Sequence, residues 1–143
     1  MSGYRGDVEP EEAYRMLQSD PQAVLVDVRS QAEWHFVGLP DLSALEREPV
    51  LVEWAKFPGM VPDPDFAKVM EQRLKALGVR QDATLLFLCR SGVRSRNAAI
   101  AMTGQGYGNC FNVSEGFEGD LDSEAHRGGK NGWKRRGLPW RQG

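Results

Sequence analysis

The sequence predicts an α/β fold with a mostly parallel central sheet flanked by helices, and three observations carry that prediction. Ala23-Val24-Leu25-Val26 and Ala83-Thr84-Leu85-Leu86-Phe87-Leu88 are short apolar runs, the pattern of strands covered on both faces. Helical patterns separate these runs, and strands that alternate with helices favour parallel pairing. At 143 residues and 16.0 kDa the chain is the size of one domain, expected to span 1–143. A chain of that size buries roughly two thirds of its unfolded surface.

The elements follow in order. Glu9-Pro10-Glu11-Glu12 opens a first helix, with Pro in the first turn and acids at the positive end of the dipole. Ala13, Met16 and Leu17 share its apolar face, and Asp20-Pro21 ends it. After the strand at 23–26 comes Asp27-Val28-Arg29, then Ser30-Gln31-Ala32-Glu33, a capping box that starts a second helix at Ser30. Residues 38–65 are the least regular, with Pro40, Pro49, Pro58, Pro62 and Pro64; Pro49 to Trp54 is expected as a strand. From Asp65 the pattern is helical, with Phe66, Val69, Met70, Leu74 and Leu77 on one stripe and Gly78 as the stop. The run at 83–88 is the strongest strand signal. A helix carrying Ala98 to Met102 follows, ended by Gly104 and Gly106, and Cys110 to Val113 is a last strand. Trp133, Leu138, Pro139 and Trp140 anchor the tail to the body; Trp34 and Trp54 are expected as packing residues or pocket rims. From His126 onward the tail holds Arg127, Lys130, Lys134, Arg135, Arg136 and Arg141 without an acid. A solvated basic face is expected there, with docking to an acidic partner or RNA as the alternative.

Composition narrows the function classes. Eighteen Lys and Arg against 20 Asp and Glu give a net charge of −2, with 41% hydrophobic and 27% charged residues. This is globular composition, not that of a disordered chain, and nothing in the bulk charge calls for nucleic acid or a membrane. The N-terminus lacks a signal-peptide core, and the apolar run Leu85 to Cys89 is far shorter than the roughly 20 residues of a membrane helix. Two cysteines, Cys89 and Cys110, are too few for a disulfide scaffold, so a reduced cytoplasmic setting is expected. His35 and His126 show no metal-ligand spacing, and no cofactor is expected.

The candidate site is Cys89-Arg90-Ser91-Gly92-Val93-Arg94-Ser95, between a buried strand and a helix. Ligands of open α/β sheets sit off the carboxyl ends of strands, where Cys89 falls. Gly92 gives the turn backbone freedom, and successive N–H groups leading into a helix form an anion cradle. The same field stabilises a thiolate, the attacking form of cysteine. Arg90, Arg94 and Arg96 crowd a helix start, where a cation is disfavoured by roughly 0.3–1 kcal/mol unless an anion or solvent offsets it. Arg90 and Arg94 are expected to meet an anion, and Arg96 to face solvent. Cys110 lies in an apolar strand pattern and is expected in the core; a resolving disulfide with Cys89 is the alternative.

This loop resembles the active-site loop of rhodanese-type sulfurtransferases. The resemblance extends to Val26-Asp27-Val28-Arg29 with Glu33-Trp34, to Asn112-Val113-Ser114-Glu115-Gly116-Phe117, and to Gly132-Trp133-Lys134 with Gly137-Leu138-Pro139. It runs from about Pro10 to Trp140. Where rhodaneses usually carry a Gly-His-Ile-Pro-Gly-Ala-like segment, this chain reads Gly38-Leu39-Pro40-Asp41-Leu42. The resemblance implies a three-layer rhodanese-like fold and a Cys89 that forms a persulfide. The N–H groups from Arg90 to Ser95 (Arg90, Ser91, Gly92, Val93, Arg94, Ser95) would cradle the persulfide and the anionic donor. It also implies that Asp27 and Arg29 brace the loop, although Arg29 and Glu33, four apart, could instead form a simple ion pair. The implied donor is thiosulfate or a persulfide. The implied acceptor is cyanide or a thiol, a protein thiol included.

Two other functions remain open at this level. A sulfur-relay or partner-binding module needs the same loop. A cysteine phosphatase or arsenate reductase would place an Arg six positions after the Cys and a His before it; here those positions hold Ser95 and Leu88.

Overall fold

The computed structural model describes residues 3–56, 61–119, 123, 126 and 131–141. Pro58, Arg127 and Lys130 lie outside the described residues. The strands are β1 (Gly6–Val8), β2 (Val24–Asp27), β3 (Leu39–Pro40), β4 (Val50–Leu51), β5 (Ala55–Lys56), β6 (Val61–Pro62), β7 (Leu85–Leu88), β8 (Cys110–Val113) and β9 (Trp140–Arg141). The helices are α1 (Pro10–Ser19), α2 (Gln31–Phe36), α3 (Phe66–Ala76) and α4 (Val93–Gly104).

Five strands form the central sheet in the order β1-β8-β7-β2-β4, and every pairing in it is parallel. Strand alternation sends the side chains of β7 to opposite faces. Leu85 and Phe87 pack with Phe66, Met70 and Leu74 of α3 and with Ala98, Ala99 and Met102 of α4. Leu86 and Leu88 pack with Ala13 and Leu17 of α1, and with Phe117 and Trp133. Helices on both faces of the sheet give the three layers that the sequence predicts. Two small antiparallel pairs, β3–β9 and β5–β6, lie outside the sheet.

Local signals set most of the boundaries. Ser30 caps α2 as a complete capping box with Glu33. On α3 only Phe66, Met70 and Leu74 are buried. Val69 and Leu77 of the predicted stripe are exposed, because spacing of four selects a single line along the helix and they flank it. The expected strand at 49–54 shrinks to Val50–Leu51, although the Val52 and Trp54 N–H groups still donate to the Asp27 and Val28 carbonyls at 3.1 Å. Trp133 is fully buried, and its indole N–H donates to the Pro139 carbonyl at 2.7 Å. The solvated basic tail is corrected at two positions. Arg136 bonds Glu115 and Glu11, and Lys134 sits 3.9 Å over the Trp140 ring. Among the described residues no helix is long and apolar enough to cross a membrane.

Candidate active site

Cys89 follows β7 directly, and three residues later Gly92 is the N-cap of α4. The sulfur therefore sits at a strand end and at the start of a 12-residue helix, whose first N–H groups have no acceptor within the helix. The Gly92 N–H donates to Cys89 Sγ at 3.1 Å, and Ser95 Oγ lies 3.2 Å from the same sulfur. Cys89 is 1% exposed.

A second turn, residues 114–119, holds the loop from outside. Phe117 N–H donates to the Cys89 carbonyl at 2.8 Å, while the Glu118 and Gly119 N–H groups donate to the Arg90 carbonyl at 3.0 and 3.1 Å. Two glycines let the turns approach. Gly92 has φ 113°, and a Cβ there would meet the Ser114 carbonyl oxygen at 2.5 Å. A Cβ on Gly116 would lie 2.5 Å from the Arg90 carbonyl. Any side chain at either position would drive the loops apart.

The charged residues divide by burial. Arg90 and Arg96 are exposed, Ser91 and Arg94 half-buried, Val93 exposed and Ser95 buried. Arg94 makes a bidentate bond to Glu33, with Nη1–Oε1 at 2.7 Å and Nη2–Oε2 at 2.9 Å. Burial alone would raise the Glu33 pKa, but the Arg94 hydrogen bonds and charge, with those from Ser30, bring it from 4.5 to about 2. Glu33 thus caps α2 and ties that helix to α4.

The alternative ion pair between Arg29 and Glu33 is overturned. Arg29 precedes Ser30, whose φ −85° and ψ 161° are extended, so helical spacing does not apply to it. Arg29 instead grips Asp27 through Nη2–Oδ2 at 2.6 Å and Nε–Oδ1 at 2.9 Å, both residues fully buried. It also donates to the Gly38 carbonyl at 2.8 Å and stacks 4.3 Å from the Phe117 ring centre. Phe117 is the residue that holds the Cys89 carbonyl, so the buried pair abuts the support of the loop.

Cys110 is fully buried in the core. Leu85, not Cys89, is its register partner, which leaves Cys89 four residues away along β7. That is about 13 Å at 3.3 Å per residue, against the roughly 7 Å limit for a disulfide, so the resolving alternative fails. Among the described residues no cluster of His, Cys, Asp or Glu could hold a metal ion.

The sequence reading did not single out Glu33 as the partner of Arg94, nor Asn112 and Asp7. Asn112 Oδ1 lies 2.5 Å from Ser95 Oγ, and Asn112 Nδ2 donates to Asp7 Oδ1 at 3.0 Å. No local signal joins residues 61 or 105 apart. The capping box marked Glu33 for a helix start only.

In fold, the parallel five-stranded sheet between helices is similar to the rhodanese-like domain of the Alr3790 protein of Anabaena, 11% identical over 94% of this chain and 77% of that chain with a TM-score of 0.55. The family model described as the STR4 middle domain matches residues 6–143, and the chain belongs to that family. The crystal structure of Rv0390 from M. tuberculosis is 48% identical, covering 98% of this chain and 99% of that chain with a TM-score of 0.88. Protein RC0915 of Rickettsia conorii is 37% identical over 128 residues, 90% of each chain. A sulfurtransferase of Allochromatium vinosum is 25% identical over 133 residues, 93% of this chain and 92% of that one. The chain is a sulfurtransferase-family domain with a rhodanese-like fold.

Proposed function

We propose that the protein transfers sulfane sulfur through a persulfide on Cys89. The observation that carries this reading is the Gly92 N–H aimed at Cys89 Sγ from the start of α4. A donor at this position favours a negatively charged sulfur, as do the helix N-terminus and the dipole behind it.

The thiolate attacks the outer sulfur of thiosulfate or of a persulfide. The donor's S–S bond breaks, its electron pair leaves with sulfite or with the donor thiolate, and Cys89 carries the new S–S bond. An acceptor thiolate or cyanide then attacks the outer sulfur and releases the Cys89 thiolate, a double displacement through a covalent intermediate. The N–H groups from Arg90 to Ser95 cradle the charge on the outer sulfur. Arg90, exposed at the loop, draws the anionic donor. Arg94 adds its positive field while bonded to Glu33, and Asp27 with Arg29 keeps the supporting turn in place.

One observation favours a relay as the second reading. Glu33 neutralises Arg94, so capture of a free anion falls mainly to Arg90. A persulfide delivered by a protein would need less charge. The deciding experiment compares thiosulfate with a persulfidated protein as donor, following sulfur on Cys89 by intact mass. Thiosulfate loading and steady turnover with cyanide support the free enzyme, and loading from the protein donor alone supports the relay. No sulfur on Cys89 from either donor overturns both.

A further inference from the structure

Four side chains from outside and inside the loop form one polar chain ending on the nucleophile. Tyr4 donates to Asp7 Oδ1 at 2.8 Å, and Asn112 Nδ2 donates to the same oxygen at 3.0 Å. Ser95 Oγ then bridges Asn112 Oδ1 at 2.5 Å and Cys89 Sγ at 3.2 Å. Asp7 and Asn112 are register partners in the β1–β8 pair, so the sheet sets them side by side.

The chemistry of each group fixes the direction of these bonds. A carboxylate only accepts, so Asp7 takes the NH2 end of the amide and turns its oxygen toward Ser95. That oxygen also only accepts, so the single Ser95 hydroxyl proton goes to Asn112. Ser95 thus presents a lone pair to Cys89. Ser95 and Asn112 are both buried, which leaves them these partners rather than solvent.

We propose that Asn112, oriented by Asp7, is a positioning residue that makes Ser95 an acceptor toward Cys89 and so favours states in which Sγ bears no charge. The proposal rests on the reading of Cys89 as the sulfur carrier. In the thiol, S–H donates to Ser95. In the persulfide the charge lies on the outer sulfur and Sγ is neutral. Only the bare thiolate sets a charge against the lone pair, or else pulls the Ser95 proton away and strands Asn112 Oδ1. The chain therefore opposes the Gly92 N–H and the helix field, and it favours loading of the persulfide over the bare thiolate.

The test is a titration of thiolate by its ultraviolet absorbance, on the full chain. Burial pushes the Cys110 thiol up to about 11, and repeating the titration in a Cys110→Ser background assigns the remaining thiolate signal to Cys89. The other charges around Cys89 stay in place in each variant: Arg90 and Arg94 of its own loop and helix, Glu33 of α2, Asp27 at the end of β2 and Arg29 just after it. In Asn112→Leu the Ser95 hydroxyl is free to donate to the thiolate, and the midpoint falls by about one pH unit. Asp7→Asn lets the Asn112 amide turn over and moves the midpoint the same way, by less. In a Ser95→Ala background Asn112→Leu produces no shift. A folded Asn112→Leu protein with an unchanged midpoint overturns the proposal, as does an equal shift without Ser95. Should Asn112→Leu not fold, Asp7→Asn at its exposed position decides alone, and an unmoved midpoint overturns the proposal. The titration needs no sulfur donor, so its failure is distinct from failure of sulfur transfer.

Discussion

The two cysteines occupy opposite ends of adjacent strands, and both are almost fully buried. Their neighbours differ. Cys89 Sγ receives an N–H at the start of a helix, whereas the Cys110 thiol donates to the Tyr107 carbonyl at 3.3 Å and lies among Leu85, Met102 and Tyr107. Burial pushes the Cys110 thiol up to about 11 against an opposing hydrogen bond from Thr103. Burial therefore does not distinguish the two cysteines. The helix start does, because the Gly92 N–H and the dipole behind it favour a charged sulfur at Cys89.

The largest effect that would sharpen this contrast comes from Cys89→Ser. The variant is expected to take up no sulfur from any donor, with complete loss of transfer, as read by intact mass and turnover. Sulfur found on Cys110 in that variant would break the comparison. Next comes Gly92→Ala, in which the new methyl meets the Ser114 carbonyl oxygen at 2.5 Å on a backbone with φ 113°. The expected loss is about 2 kcal/mol of stability or more, with transfer down at least about tenfold, measured by urea denaturation beside turnover. Wild-type stability and activity together would show that the two turns do not need their close approach.

A smaller effect follows from Glu33. Its folded pKa of about 2 lies below the ordinary 4.5, so the stability it contributes is present above 4.5 and is lost as pH falls from there through 2. The full difference is on the order of 3 kcal/mol. Glu33→Gln should flatten that part of the stability–pH curve and lower the plateau above it, as followed by denaturant midpoints across the acid range. A parallel curve for the variant would mean that the Arg94 pair adds nothing to folding.

These sites were legible in the sequence to different degrees, for physical reasons. The Cys89 loop is contiguous, and its strand, glycine and helix start are written in adjacent residues. The capping box at Ser30 and the buried runs of β2 and β7 are equally local. Arg94 to Glu33 and Asp7 to Asn112 are pairings made by the tertiary fold. The second depends on β1, only three residues long, which carries no periodic signal of its own. Arg29 misled because a spacing of four implies a pair only inside a helix, and it stands just before one.

The smallest expected effect closes the contrast from the other side. In Cys110→Ser a hydroxyl replaces a thiol that behaves as a small apolar group in the core. The hydroxyl can still donate to the Tyr107 carbonyl, 3.3 Å from the present sulfur, so no donor is stranded. The shorter C–O bond lengthens that contact and leaves a slightly poorer fit among Leu85, Met102 and Tyr107. A loss of about 1 kcal/mol is expected in the denaturant midpoint, with persulfide loading at Cys89 unchanged. Its register partner on β7 is Leu85, four residues before Cys89, and none of the hydrogen bonds described at the site passes through Cys110. If Cys110→Ser lost sulfur transfer while keeping its fold, the second cysteine would belong to the chemistry, and the helix start beside Cys89 would no longer suffice to set the two buried thiols apart.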